Sequence, residues 1–164
     1  MIPYHHDFYL IELREKPLLG DSIELHRQIR YCIENDDSTL LSVLGKVHIH
    51  DHLMEYLYSS FYWVPLDYRD ENDVDQFGMK KGISYSGCEV FSATACQALN
   101  SLVSGWISIF SVAPKKIRLM STYGRKESDH LLDKTEVIGM LKQLLSFVDR
   151  LEVGDPIYLV YSGL

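Results

Sequence analysis

Apolar residues recur at helical spacing in three stretches of the chain. The first begins near Asp21, with Glu24 at the capping-box spacing, and runs to about Asn35. The second ends before Pro114, and the third begins at Asp133 with the same capping spacing. These patterns predict three amphipathic helices. Their apolar stripes are Leu25, Ile29, Cys32 and Ile33; Ala95, Leu99, Leu102, Val103, Trp106, Ile107 and Phe110; and Val137, Leu141, Leu144, Leu145 and Val148.

Strand patterns separate these helices. Residues 4–13 and 82–91 are rich in aromatic and β-branched residues, and 115–124 has a similar pattern with a short partner strand expected at 130–132. Residues 157–164 close the chain as a strongly apolar strand, which we expect to lie inside the sheet. The order of elements is mixed and not regularly βαβ. It predicts an α+β fold, a largely antiparallel sheet with amphipathic helices packed on one face.

The stretch between residues 38 and 82 is harder to interpret. Residues 38–45 indicate a short helix and 46–50 a connector, after which Asp51 is positioned to cap a second helix over 52–64. This second helix is apolar nearly all round, so either several of its sides are buried or a partner covers the surplus. Residues 67–82 are polar without periodicity and are expected to form a long surface loop.

Size, targeting and cysteine content favour one domain inside the cell. The 164 residues fit a single domain spanning 1–164. The N-terminus carries no basic stretch followed by an apolar one, and no apolar run approaches the roughly eighteen residues of a membrane span. The cysteines Cys32, Cys88 and Cys96 are odd in number and lie in apolar patterns. We therefore expect reduced, buried thiols and a cytoplasmic protein without membrane contact.

Negative charge is concentrated in one segment of the chain. Between Glu34 and Asp75, ten acids face two bases, a net charge of −8, while the remaining residues carry thirteen acids and fourteen bases, a net charge of +1. We call residues 34–75 the acidic segment. The whole-chain charge of −7 argues against nucleic-acid binding, which requires a basic surface.

A histidine cluster inside the acidic segment is the strongest indication of chemistry. His48, His50 and His52, with Asp51, form a possible ligand set for a metal, and alternation along a strand would place the three imidazoles on one face. The order is similar to the H-x-H-x-D-H signature of metallo-β-lactamases, but Asp51 follows the second histidine directly. The alternative interpretation, which we favour, is a connector followed by a helix cap. We predict no cofactor.

Aromatic residues border the acidic loop of residues 67–75. Trp63 and its neighbours directly precede it, and aromatic anchors beside a charged rim are typical of protein-binding surfaces. The loop lacks the ligand spacing of an EF-hand. Nor does the chain contain a nucleophile elbow or a phosphate-binding loop. The predicted partner-binding residues are Tyr62, Trp63, Asp67, Tyr68, Asp70, Glu71, Asp73 and Asp75.

Some motifs resemble those of small uncharacterised bacterial proteins. They are Gly82-Ile83-Ser84-Tyr85-Ser86-Gly87, the helix with Trp106, Ile107 and Phe110 that ends at Ala113-Pro114, and the final Tyr161-Ser162-Gly163. The acidic, compact build without an active site also resembles immunity proteins of toxin–immunity systems, including contact-dependent growth inhibition. This resemblance implies a non-enzymatic monomer or homodimer that binds a basic toxin domain, such as a nuclease. The alternatives are a small metal-dependent enzyme using the histidine cluster, or a structural subunit of a homo-oligomer.

Overall fold

The computed structural model describes residues 6–15, 22–66, 83, 87–119 and 131–163. Within these ranges the chain forms six strands, four α-helices and two short 3-10 helices. The strands are β1 (His6–Leu13), β2 (Leu41–Ile49), β3 (Cys88–Phe91), β4 (Lys116–Arg118), β5 (Leu131–Asp133) and β6 (Ile157–Gly163). The α-helices are α1 (Ser22–Glu34), α2 (Asp51–Leu57), α3 (Cys96–Ser111) and α4 (Lys134–Val148), and the 3-10 helices are Tyr58–Trp63 and Ala93–Ala95.

The main sheet has the strand order β2-β1-β6-β3, and every neighbouring pair is antiparallel. The last strand therefore lies inside the sheet, as predicted, and pairs with the first strand. Strands β4 and β5 form a separate antiparallel pair, which confirms the predicted partner strand near residue 131. The α+β class is confirmed.

The two faces of the main sheet are covered by different helices. Helices α2, α3 and α4 bury their apolar sides on the face that carries Phe8, Leu10 and Leu159. On the opposite face, α1 packs through Ile29 and Cys32 against a smaller cluster. Three of the four helices thus share one face, as predicted, whereas α1, one of the predicted amphipathic helices, lies on the other face.

Residues 38–50 differ from the sequence-based prediction. The short helix over 38–45 and the connector over 46–50 are wrong, because Leu41–Ile49 is strand β2 and pairs along its length with β1. The pairing register shifts where Leu10 faces Gly45 and Ile11 faces Val43, so that Leu44 is an extra residue in β2. This β-bulge lies on an edge strand, where bulges twist the exposed edge away from pairing with another chain.

Of the three predicted helix caps, Asp133 is confirmed, Asp51 is wrong, and Asp21 lies outside the described residues. Asp133 caps α4, because its side chain accepts a hydrogen bond from the backbone N–H of Thr135 at 2.8 Å. The cap of α2 is His50 and not Asp51, since the His50 ring accepts from the backbone N–H of His52. The thiols of Cys32 and Cys88 are buried as predicted, whereas that of Cys96 is half-buried. No helix in the described ranges is long and apolar enough to cross a membrane.

Candidate functional site

The segment that runs from α2 into the 3-10 helix at Tyr58–Trp63 has a buried side and an aromatic exposed side. Leu53, Met54 and Leu57 are buried in the main core. Phe61 joins them, with ring centroids 5.7 Å from Phe8 and 5.0 Å from Trp106. The chain itself therefore covers most of the apolar surface of this segment, which the sequence analysis expected either the core or a partner to bury. The exposed side carries Tyr56 and Trp63, which are 59% and 68% exposed.

Two of the predicted partner-binding residues can be placed. Trp63 ends the 3-10 helix and is among the most exposed large apolar side chains of the described residues. Tyr62 is half-buried, and its hydroxyl lies 3.0 Å from that of Tyr58. The other predicted residues, Asp67, Tyr68, Asp70, Glu71, Asp73 and Asp75, lie outside the described residues.

Four of the five acids in the described part of the acidic segment have partners within the chain. Glu34 accepts a 2.7 Å hydrogen bond from Arg30, and Asp37 accepts one from the backbone N–H of Thr39. Asp51 and Glu55, on α2, lie beside histidine rings. Charge reversal at any of these four acids would remove an internal contact. A loss of binding in such a variant would not distinguish the lost internal contact from a lost contact with a partner.

The three histidines of the possible metal-ligand set do not come together at one site. Strand β2 ends at Ile49, so alternation does not extend to His50 or His52, and the prediction of three imidazoles on one face is wrong. His48 points to Asp7 on β1, with its Nδ1 2.9 Å from Oδ1. The rings of His50 and His52 stack on each other, 5.4 Å apart. Among the described residues, no group of three or more His, Cys, Asp or Glu side chains is placed to hold a metal ion.

Asp7 is the centre of a polar cluster on strands β1 and β2. Besides His48, it pairs with Lys46, whose Nζ lies 2.8 Å from Oδ2, and it accepts a 3.3 Å hydrogen bond from the hydroxyl of Tyr9. Burial alone would raise the pKa of Asp7, but the hydrogen bonds from Lys46 and His48 outweigh it and lower that pKa. These contacts bind an ionised carboxylate and tie β2 to β1.

A second polar cluster joins the first strand, the last strand and α2. The buried ring of His6 lies with Nδ1 2.8 Å from the Tyr161 hydroxyl and Nε2 2.9 Å from Oδ1 of Asp51. Burial lowers the pKa of His6, and this effect outweighs the hydrogen bond and charge of Asp51, which raise it. Burial also disfavours the charged form of Tyr161 and so raises the pKa of its hydroxyl. At neutral pH both groups are therefore uncharged.

Sequence reasoning missed this cluster. Alternation along β1 directs the ring of His6 into the core, on the same face as Phe8. The partners of His6 are 45 and 155 residues away along the chain, so that no local spacing indicates them.

Comparison of the chain with family models, with curated proteins and with solved structures finds no match. The resemblance to immunity proteins accordingly stays a prediction.

Proposed function

We propose that this chain is an immunity-type protein, which binds and neutralises a basic toxin domain through the acidic segment and the aromatic residues beside it. The observation that carries the proposal is the exposure of Trp63. This ring is 68% exposed at the end of the 3-10 helix, four residues before Asp67, where the run of acids begins. A large aromatic ring at the surface next to a charged rim is the composition of a binding hot spot.

Electrostatics support a basic partner. A toxin domain that cleaves nucleic acid needs a basic cleft to hold phosphates, and a surface rich in carboxylates can occupy that cleft in their place. Charge of opposite sign raises the association rate, while a buried aromatic anchor slows dissociation. The acidic segment, with its net charge of −8, supplies the first property and the exposed aromatic rings supply the second.

The metal-enzyme alternative finds no support in the geometry. Two of its four proposed ligands already pair with other side chains, since His48 bonds to Asp7 and Asp51 bonds to His6. The homo-oligomer alternative was based on an apolar helix in need of cover, and one side of that helix, with Leu53, Met54 and Leu57, is buried in the core of its own chain.

The proposal is tested with the domain encoded by the gene next to this one. The purified domain is assayed for nuclease activity on plasmid DNA and for affinity by calorimetry. We expect stoichiometric inhibition by the wild-type protein. We also expect at least tenfold weaker affinity for Trp63→Ala, because truncating an aromatic hot spot costs about 2 kcal/mol or more.

Tyr31→Ala provides the matched control. Tyr31 is an aromatic residue of similar exposure, 60%, but it lies on α1 before the acidic segment begins. Its truncation should change the affinity less than twofold. Equal effects of the two substitutions, or no binding of the neighbouring domain at all, would contradict the proposal.

A further inference from the structure

The ring of His6 is the contact between the sheet and the first residue of α2. It lies on β1, fully buried, and its plane is within 9° of that of Tyr161 on β6. On its other side, Nε2 reaches Oδ1 of Asp51, the residue at which α2 begins. One side chain thus links two central strands of the sheet to the segment that presents Tyr56 and Trp63.

The hydrogen-bonding groups around the ring define its tautomer. An ionised carboxylate can only accept, so Nε2 of His6 carries the proton and donates it to Asp51. Nδ1 then accepts the hydrogen bond from the Tyr161 hydroxyl. If the ring gains a proton from solvent, Nδ1 also becomes a donor. The Tyr161 oxygen must then accept, and the hydroxyl hydrogen must turn to another acceptor.

Charged and titratable groups of neighbouring elements act on the ring in both directions. Asp51 on α2 and Asp7 on β1 favour the proton, whereas His48 on β2 disfavours it. On β6, Tyr161 is uncharged, because burial raises the pKa of its hydroxyl and the nearby Tyr58 and Glu89 raise it further. Burial is the largest influence on His6, and it lowers the pKa below the ordinary value of 6.5. The closed arrangement therefore holds a neutral ring.

We propose that His6 is a proton-sensitive latch that holds the first turn of α2 on the sheet at neutral pH and releases it in mild acid. When the turn lifts and water reaches the ring, the ring binds a proton with its ordinary affinity, so that protons favour the open state. The ratio of open to closed molecules rises up to about tenfold for each pH unit below 6.5, until the folded-state pKa is reached.

The latch also determines how well ordered the proposed partner-binding surface is. This consequence alone rests on the proposed function. Tyr56 and Trp63 follow Asp51 on the same short segment, so a lifted first turn loosens the backbone that carries them. The latch itself is a property of the unbound protein and is tested without a partner.

Amide hydrogen exchange of the unbound protein, followed by NMR at pH 7.5 and pH 5.5, is the direct test. The reporter is the amide of Met54, which donates a 2.9 Å hydrogen bond to the carbonyl of His50 in the first turn of α2. After correction for intrinsic exchange rates, its protection should fall severalfold, and at most about tenfold per unit below 6.5, between the two pH values. Protection of amides in α4, such as Leu144, should not change.

Three variants separate the latch from a general effect of acid. His6→Gln should abolish the pH response of the Met54 amide. His26 is another part-buried histidine, and its Nε2 lies 3.2 Å from the Cys88 carbonyl oxygen. The variant His26→Gln should retain the pH response of the Met54 amide. Asp51→Asn keeps an oxygen acceptor but removes the charge that favours the proton in the closed state. The response should therefore still begin near pH 6.5 but continue to lower pH than in the wild type.

Asp51→Asn also keeps the test decisive if His6→Gln does not fold. An unchanged protection of the Met54 amide at pH 5.5 in a folded wild-type protein would overturn the latch. So would an equal response in wild type and His6→Gln, or a response in Asp51→Asn that ends at the same pH as in the wild type. Failure to bind a toxin domain would bear only on the proposed function.

Discussion

Replacing Gly45 by alanine would place a methyl group where the ring of Phe147 already lies. A Cβ atom at position 45 would be 2.7 Å from Cζ and 2.9 Å from Cε1 of Phe147. Comfortable carbon–carbon contacts are about 3.5–4.0 Å, so the ring or the strand has to shift. Phe147 is buried in the main core between α4 and β2, where neighbouring side chains restrict such a shift.

The magnitude follows from two opposing effects. Overpacking a core costs about 1–3 kcal/mol, whereas replacing glycine stabilises by about 0.4–1 kcal/mol through the unfolded state. We expect Gly45→Ala to lower the free energy of unfolding by about 1–2 kcal/mol, which is about 2–8 °C in Tm for a chain of this size. Urea denaturation followed by circular dichroism measures the free energy, and calorimetry measures Tm.

Gly139→Ala is the matched control, because an alanine Cβ at this exposed position of α4 would meet no atom within 4 Å. This substitution should stabilise the protein by about 0.5–1 kcal/mol, the ordinary gain for alanine over glycine in a helix. In a Phe147→Leu background the ring atoms in conflict are gone, so Gly45→Ala should become nearly neutral there. A wild-type stability for Gly45→Ala, or the same loss in both backgrounds, would refute the reasoning.

Three further side chains, Asp133, Cys88 and Asp7, lead to predictions about stability and reactivity. Asp133→Ala removes the side chain that accepts from the backbone N–H of Thr135, and should cost about 1 kcal/mol in urea denaturation. Cys88 should resist iodoacetamide at pH 8 in the folded protein, because burial raises its pKa to about 12; rapid alkylation there would contradict its placement. The pKa of Asp7 is lower in the folded chain than its ordinary 3.8, so its contribution is complete above that value and is lost as pH falls through the folded-state pKa. Asp7→Asn should therefore flatten the acid limb of the stability–pH curve, and an unchanged limb would show that its pairing with Lys46 contributes nothing there.

Local patterns predicted the elements whose signals are complete within one stretch of sequence. Helix α4 has both a cap at Asp133 and a sustained apolar stripe, and the structure contains it as predicted. Strand β2 lacks such a signal. Its residues Leu41 and Leu44 are three apart, a helical spacing, and only pairing with β1 makes the segment a strand. Tertiary contacts there override the local preference.

In the candidate site, too, local features could be predicted from the sequence and long-range contacts could not. Exposure of Trp63 could be predicted, because five aromatic residues lie within one short stretch and a small core cannot bury all of them. The link from His6 to Asp51 and Tyr161 could not be predicted, since it depends on the first and last strands being neighbours in the sheet. That adjacency is a property of the topology and has no counterpart in local spacing.

The association rate with the proposed partner, the domain encoded by the neighbouring gene, tests the central claim most directly. Stopped-flow measurements at low salt compare the wild type with the triple variant Asp70→Lys, Glu71→Lys and Asp73→Lys. A second triple variant, Glu12→Lys, Glu152→Lys and Asp155→Lys, makes the same change in net charge at exposed positions outside the acidic segment. We predict at least a tenfold slower association for the first variant, a much smaller change for the second, and convergence of all three rates at high salt. An unchanged rate for the first variant, or equal slowing by both, would contradict binding through the acidic segment.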